Sequence, residues 1–175
     1  MRSLCVAICL LMLGWAAPAF GIEAGSAAPS FNLESGDQQT LSLDQIRGKV
    51  ILILYETKEE VEQNRALKSD LTALYAGSPL LKTRSLVVSV INASSAYWPI
   101  TKIWQSNLRK NSEKEGVVIW GDWNGKMFSD YGMTDRASNV VLIDKKGVVR
   151  YARSGRLAPD DIRHLKKMLL NAVEK

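Results

Sequence analysis

The amino-acid sequence predicts an α/β domain with a mixed central β-sheet that is covered by helices on both faces. Residues 50–54 form a continuous apolar run and residues 85–91 are rich in valine, as is typical of strands buried on both sides. Segments with the periodicity of amphipathic helices follow both, and a hairpin pattern precedes the last helix. Because strands joined through helices run parallel and hairpins are antiparallel, we expect both kinds of pairing.

A β-hairpin is predicted before the first buried strand. Phe31 and Leu33 alternate with polar residues, the letters SGDQ at residues 35–38 indicate a turn, and Leu41 and Leu43 alternate again. A short turn with the letters LDQI then leads into the buried strand. This arrangement predicts two short antiparallel strands at the start of the domain.

The first long helix is predicted to begin at Thr57. Thr57 is a favourable N-cap residue, and Glu60 three positions later completes a capping box. Gly77 followed by Pro79 is expected to end the helix. Asn64 falls on the apolar stripe, whose other members are Val61, Leu67, Leu71 and Leu74.

The second half of the chain continues the alternation of helix and strand signals. Pro99 suits the first turn of a helix, residues 116–120 indicate a third strand, and residues 121–126 indicate a turn. Residues 140–144 and 148–153 predict a hairpin, which a final helix follows. The apolar stripes of the two helices are Ile100, Ile103, Trp104 and Leu108, and Ile162, Leu165, Leu169 and Val173.

Residues 1–21 have the pattern of a cleaved secretory signal peptide. Arg2 precedes the apolar residues 4–14, a run shorter than the roughly 18 residues that a membrane anchor would need. The small residues that follow predict cleavage before Phe20 or Ile22. We therefore expect a periplasmic or secreted protein without stable membrane insertion after cleavage.

The positions of the cysteines exclude thiol chemistry from the mature chain. Cys5 and Cys9 are the only cysteines and both lie in the predicted signal peptide, so residues 22–175 contain no thiol, disulfide or thiolate metal ligand. A single domain of this length can fold without disulfides. The only histidine, His164, lies among cationic residues, so no serine triad and no metal or other cofactor is predicted.

The charge pattern argues against binding to nucleic acids. The formal net charge is +5, but acidic and basic residues are interleaved, as in residues 107–116 and 160–167. A nucleic-acid-binding face would require a contiguous basic stripe. The mixed pattern indicates an ordinary solvated surface.

Three segments resemble the thioredoxin superfamily, especially its exported redoxin and peroxiredoxin-like branch. They are APSFNLESGDQQTLSLDQIRGKVILILY, DWNGKMFSDYGM and VVLIDKKGVVRYARSG, and they extend over nearly all of the mature chain in the family's order. The resemblance implies a thioredoxin-like three-layer α/β/α sandwich formed by residues 22–175 as a single domain.

Two features of that family are missing here. The family carries Cys-x-x-Cys where the first buried strand meets its helix, and an alignment on GKVILILY places Glu60 and Gln63 at those cysteines. The family also has a cis-proline before the hairpin strand, at the position of Ser138. A narrower resemblance, carried by KEEVEQNRALKSDL, VINASSAYW and SNVVLIDKKG, is to the exported YtfJ-type proteins, which also lack the cysteine pair.

The resemblance implies that the start of the first long helix and the loop before the hairpin border one groove. We therefore predict a non-catalytic module that binds another exported protein or an extended peptide. The alternatives are a redoxin-class enzyme that works without thiols and a carrier of a small ligand. The candidate binding residues are Thr57, Glu60, Gln63, Asn64, Arg136 and Ser138, with Trp98 and Trp123 as aromatic anchors.

Structural roles compete with these assignments. A capping box accounts for Thr57 and Glu60, and a buried Asn64 would need hydrogen bonds, for example to the loop near Ser138. Glutamates 56, 59, 60 and 62 fall on different faces, which favours a solvated helix start over a metal site. Core packing and partner contact are equally compatible with the two tryptophans.

Overall fold

The computed structural model describes residues 21–174, so the predicted signal peptide up to Phe20 lies outside the described residues. Seven strands form one sheet: β1 (Asn32–Ser35), β2 (Thr40–Ser42), β3 (Val50–Glu56), β4 (Ser85–Asn92), β5 (Ile119–Asp122), β6 (Asn139–Ile143) and β7 (Val149–Ser154). The α-helices are α1 (Arg65–Ala76), α2 (Pro79–Arg84), α3 (Thr101–Glu115), α4 (Lys126–Asp130) and α5 (Pro159–Glu174). Two short 3₁₀ helices, Asp44–Ile46 and Lys58–Glu60, follow β2 and β3.

The sheet has parallel strands at its centre and antiparallel strands on both sides. Its order is β2-β1-β5-β4-β3-β6-β7, with β3, β4 and β5 parallel and β1 and β6 antiparallel to their neighbours. The three parallel strands end at one edge of the sheet, at Glu56, Asn92 and Asp122, and β6 begins there at Asn139. This edge is called the carboxyl edge below.

Strand β3 lies at the centre of the domain because its side chains alternate between two apolar cores. Ile51 and Ile53 face a core that α4 and the β1–β2 hairpin cover. Leu52 and Leu54 face a second core, formed with α1, α2 and α5. This alternation explains the continuous apolar run, and it confirms the predicted three-layer α/β/α sandwich with a mixed central sheet.

The elements near the C-terminus agree with the sequence pattern. The predicted hairpin is β6–β7, and Gly147 in its turn has a φ of 78°, which glycine adopts without strain. The α5 stripe is fully buried: Ile162, Leu165, Leu169 and Val173.

Among the described residues, no helix combines the length and the apolar character that crossing a bilayer requires.

The predicted start of the first long helix is wrong. Helix α1 begins at Arg65, and the preceding residues form a 3₁₀ turn and further turns. Thr57 has an extended backbone and its side chain makes no capping hydrogen bond, so the capping box is not formed. We call residues 57–64 the strap.

Two further predictions need correction in the middle of the chain. Strand β5 begins at Ile119, and Val117 and Val118 before it are exposed, because pairing with β4 starts only at Ile119. On α3, Leu108 is buried but Ile103 is 61% exposed, so the predicted stripe is narrower than the sequence suggested. The short helix α2 was not predicted, although Pro79 occupies its first turn.

Candidate functional site

The structure brings three of the predicted site residues into direct contact at the carboxyl edge. The backbone N–H of Ser138, just before β6, donates to Gln63 Oε1 of the strap at 2.8 Å. Gln63 Nε2 in turn donates to Glu60 Oε2 at 3.0 Å. The positions that the resemblance aligns with two cysteines and a cis-proline therefore form one continuous row of hydrogen bonds.

This row continues into Glu56, for which the expected place in a solvated helix start is wrong, because Glu56 ends β3 and is buried. The Ser138 hydroxyl donates to Glu56 Oε1 at 2.9 Å, and Lys68 Nζ donates to Glu56 Oε2 at 2.6 Å. Lys68 also donates to the backbone carbonyl of Val61 at 2.6 Å. We call Glu56, Glu60, Gln63, Lys68 and Ser138 together the edge network.

Burial dominates the electrostatics of Glu56. The residue is only 4% exposed, and this desolvation raises the pKa of its carboxyl group, with the nearby charge of Glu62 adding to the effect. Hydrogen bonds from Lys68 and Ser138 act in the opposite direction without cancelling the effect of burial. Glu56 therefore takes up a proton at a higher pH than an exposed glutamate does.

Two sequence signals could have identified this pair. Glu56 ends an otherwise apolar strand that is buried along its whole length, so its carboxylate needs a partner. Lys68 lies four positions after Asn64 and one turn before Leu71, on the inward side of the helix. A buried acid near an inward-facing lysine predicts an ion pair.

Asn64 is a structural connection between the strap and the loop after β7. It is 2% exposed, its side-chain amide donates to the carbonyl of Gly155 at 2.9 Å, and its Oδ1 accepts from the N–H of Leu157 at 2.8 Å. The expected contact to the loop near Ser138 is wrong, because both polar atoms of the side chain reach the loop after β7. These bonds give the Gly155 carbonyl a donor and the Leu157 N–H an acceptor, so both backbone groups of the loop are satisfied.

Thr57 has a buried side-chain oxygen without a hydrogen-bond partner. Its hydroxyl oxygen is buried and has no hydrogen bond within the described part of the chain. The backbone carbonyl of Thr57 accepts from the N–H of Glu60 at 3.1 Å, a 3₁₀-type bond that directs the chain into the strap. Thr57 thus contributes backbone geometry to this edge.

Arg136 is held in an unusual backbone conformation and exposes its charge. Its φ of 51° lies in the left-handed region, which non-glycine residues adopt rarely and at some cost in energy. Its side chain is 88% exposed and only approaches Asp135, at 4.0 Å. The side chain of Asn139 stabilises this loop by accepting from the N–H of Thr134 at 2.9 Å and donating to the carbonyl of Ala137 at 3.0 Å.

The two candidate tryptophans occupy different environments. Trp98, in the loop after β4, is 82% exposed, and its neighbour Tyr97 is 70% exposed. Trp123 is half-buried, and its indole N–H donates to the carbonyl of Glu34 at 3.0 Å. Trp98 is therefore available to a partner, whereas Trp123 connects β1 to the turn after β5.

The strand β5 also ends in a buried acid at this edge. Asp122 is 1% exposed, and its Oδ2 accepts from the Tyr55 hydroxyl at 3.0 Å and from the N–H of Phe128 at 2.9 Å. Burial, together with the charge of Asp122, raises the pKa of the Tyr55 hydroxyl well above its usual value. Within residues 21–174, no three His, Cys, Asp or Glu side chains are close enough to share a metal ion.

Two cavities are present away from the edge network. One of about 180 Å³ is lined by Tyr131, Asn139 and Arg153, and another of about 330 Å³ is lined by Gly48 and Arg84. Drug-sized ligands usually occupy cavities of roughly 300–1,000 Å³. Neither of these two cavities is lined by Glu60, Gln63 or Ser138.

A profile of the AhpC/TSA family matches residues 24–152. The chain belongs to the AhpC/TSA family. This match extends over most of the described residues and confirms the predicted relationship to the redoxin branch. A direct comparison with curated protein sequences finds no match.

Solved structures resemble this AhpC/TSA-family chain in fold. A Chlorobium tepidum protein assigned as the thiol:disulfide interchange protein DsbE has a TM-score of 0.65 and 18% identity, and the match covers 87% of this chain and 99% of that chain. The exposed lipoprotein thioredoxin of Streptococcus pneumoniae has a TM-score of 0.57 and 18% identity, with coverages of 80% and 99%. The thiol peroxidase of Chromobacterium violaceum has a TM-score of 0.60 and 16% identity, with coverages of 86% and 88%.

These similarities establish the thioredoxin-like fold. The sequence identities are too low to transfer an activity from any of the three proteins. The names of all three refer to thiol or thioredoxin proteins, whereas this chain has no cysteine after Cys9. The thioredoxin-like fold and the membership of the AhpC/TSA family therefore agree with the predicted fold and redoxin branch.

Proposed function

We propose that this AhpC/TSA-family chain is an exported, non-catalytic protein that binds an extended segment of another exported protein at the carboxyl edge. The observation that carries the proposal is the hydrogen-bonded row from Glu60 through Gln63 to Ser138 in a chain without a mature-region cysteine. Carboxylate, amide and hydroxyl groups cannot undergo thiol–disulfide exchange or form a sulfenic acid. We also propose that the chain belongs to the exported YtfJ-type group, which likewise lacks the cysteine pair.

The internal pairing of the edge network also argues against an enzyme that works without thiols. Glu56, the best candidate for an acid or base, is buried and receives hydrogen bonds from Ser138 and Lys68 at both carboxylate oxygens. A general acid or base needs access to the substrate proton within about 3 Å. The contacts of Glu56 suit a structural connection better than proton transfer.

The exposed groups beside the network are suited to protein contact. Trp98 and Tyr97 present large aromatic surfaces, and such side chains often act as anchors in protein interfaces. Arg136 adds an exposed guanidinium group, which can pair with carboxylates or backbone carbonyls of a partner. Export is supported by the leader pattern of residues 1–21, and it would place the partner in the periplasm or outside the cell.

Site-specific photo-crosslinking tests this proposal. A photoreactive residue at position 98 or 136 should capture a discrete exported protein, whereas the same residue at position 49 should not. Position 49 is exposed directly before β3 and therefore lies at the opposite edge of the sheet. In a pull-down without the photoreactive residue, combined Trp98→Ala and Arg136→Ala substitutions should reduce recovery of that protein by at least about tenfold, which corresponds to about 1.4 kcal/mol.

A matched variant controls for loss of surface charge and apolar area. The combination Val117→Ala and Lys49→Ala removes one exposed apolar and one exposed basic side chain at the opposite edge and should leave recovery unchanged. Equal capture at positions 49 and 98 would reject the binding site. A small molecule retained in native mass spectrometry, without protein capture, would favour the ligand-carrier alternative.

A further inference from the structure

The strap is held in its present form by a side chain that takes over a backbone hydrogen bond. In an α-helix extended towards the N-terminus, the carbonyl of Val61 would accept from the N–H of Arg65. In this structure Val61 accepts from Lys68 Nζ at 2.6 Å, and the N–H of Arg65 donates to Glu62 instead, at 3.3 Å. The lysine therefore occupies the carbonyl that a longer α1 would use.

The sequence of the strap favours the longer helix. Residues 58–63 are mostly strong helix formers, and Thr57 with Glu60 would form a capping box at its start. Glu59 and Glu60 would also interact favourably with the positive end of the helix dipole. The observed backbone bonds are of the 3₁₀ type, from Glu60 to Thr57 and from Gln63 to Glu60, so winding requires only local rearrangement.

Glu56 fixes Lys68 in place. Its carboxylate is the counter-ion of the ammonium group at 2.6 Å and also accepts from the Ser138 hydroxyl at 2.9 Å. The charged groups around it are Lys68 from α1 and Glu62 from the strap, and its other direct partner, Ser138 from the loop before β6, carries no charge. One carboxylate thus connects α1, the strap and the loop before β6.

We propose that Glu56, Lys68 and the Val61 carbonyl form a proton-operated latch, in which protonation of Glu56 releases Lys68 and lets the strap wind onto α1. The side chain of Lys68 is 35% exposed, so it can reach solvent once its counter-ion is neutral. Burial raises the pKa of Glu56, which moves the release towards milder acidity. The strap is the element with two alternative forms, and Glu56 is the group that selects between them.

The latch would control the binding surface proposed above, and this consequence rests on the proposed function. Gln63 belongs to the strap and accepts from the N–H of Ser138 at 2.8 Å. When the strap winds up, Gln63 leaves that N–H, which then becomes available to a carbonyl group of an extended partner. Capture by a photoreactive residue at position 98 should therefore increase on acidification.

NMR spectroscopy of the mature protein tests the latch without any partner. The ¹³Cα shifts of residues 58–64 should become helical on acidification, with the same midpoint as the ¹³Cδ signal of Glu56. Glu56→Gln should show the released form throughout the pH range, and Lys68→Met provides a second variant if Glu56→Gln does not fold. In either variant, protection of the Ser138 amide against exchange should decrease by roughly tenfold, as expected for one lost hydrogen bond.

Lys166→Met is the matched control. Lys166 pairs with Asp70 at 2.7 Å and is 30% exposed, close to the value for Lys68, but this pair joins α5 to α1 and does not include the strap. This variant should behave like the wild type. Strap signals that stay unchanged while Glu56 titrates, or helical strap signals in Lys166→Met at neutral pH, would overturn the latch.

The two proposals fail in different ways. If the strap titrates but nothing is captured at position 98, the latch stands and the binding function fails. If capture occurs but does not follow the Glu56 midpoint, or still depends on pH in Glu56→Gln, the binding function stands and the regulatory role of the latch is wrong.

Discussion

Strands β3 and β5 both end in a buried carboxylate at the carboxyl edge, but the two acids connect different kinds of structure. Glu56 at the end of β3 binds the Lys68 ammonium and the Ser138 hydroxyl. Asp122 at the end of β5 binds the Tyr55 hydroxyl and the Phe128 amide, which belong to a central strand and to α4. Glu56 therefore holds irregular segments together, whereas Asp122 joins regular elements.

This difference separates the part of the edge that side-chain bonds hold in place from the part that the sheet and the core hold in place. The partners of Asp122 are fixed by sheet pairing and by core packing, because Tyr55 lies within the β3–β4 ladder. The strap and the loop before β6 have no such ladder, so side-chain bonds determine their geometry. We expect substitution of Glu56 or Lys68 to alter mainly the conformation of the strap. Substitution of Asn64, which is buried and binds the loop after β7, or of groups on the β5 side should alter stability.

The largest effect is expected from removing the connection at Asn64. Asn64→Ala leaves the Gly155 carbonyl and the Leu157 N–H without their partners in a buried setting, which should lower the free energy of unfolding by about 2–4 kcal/mol. Urea-induced unfolding measures this change. Asn124→Ala serves as the control, because Asn124 is exposed and bonds only a neighbouring turn amide; a similar loss in both variants would contradict the role of Asn64.

The two tryptophans distinguish stability from recognition. Trp123→Ala removes a half-buried side chain and the indole bond to Glu34, and should destabilise the fold by about 1–3 kcal/mol. Trp98→Ala changes an 82% exposed residue and should stay within about 0.5 kcal/mol of the wild type. Thermal unfolding compares them directly, and a large loss for Trp98→Ala would show that Trp98 supports the fold rather than a partner.

The smallest expected effect is a pH-dependent difference at Glu56. A carboxyl group with a raised pKa in the folded state contributes stability at low pH that is lost as the pH rises through the folded pKa. Glu56→Gln lacks this titration, so its stability relative to the wild type should improve as the pH increases from about 4 to about 8. Urea unfolding across this range measures the difference; a constant or decreasing difference would contradict the burial effect.

The regular parts of the fold were predictable because apolar periodicity determines them. The apolar run of β3 is buried along its whole length, and the α5 stripe from Ile162 to Val173 is the buried face of that helix. Short elements such as α2 were missed because six residues carry too little periodicity to distinguish a helix from a turn. The start of β5 was misplaced since Val117 and Val118 are apolar but unpaired.

The contact between the strap and the loop before β6 was predictable, but its details were not. The contact between Gln63 and Ser138 follows from the family resemblance, which places the strap beside the loop before β6. The unwound strap could not be read from the sequence, because its local propensity favours a helix and contacts with distant residues override it. Those partners, such as Gly155 for Asn64, are 91 positions away in the chain and become neighbours only in the folded domain.

The absence of thiol chemistry is tested most directly by the turnover of purified protein beginning at Ile22 with insulin disulfides or hydrogen peroxide in the presence of a dithiol reductant. We expect no turnover above the buffer rate, under conditions in which a thioredoxin or peroxiredoxin control is active. We also expect that the combined substitution Glu60→Cys and Gln63→Cys does not restore full activity, because Ser138 stands where the family has a proline and would lose its contact with Gln63. Turnover by the cysteine-free protein that disappears on substitution of Glu56 or Ser138 would show that this chain is an enzyme.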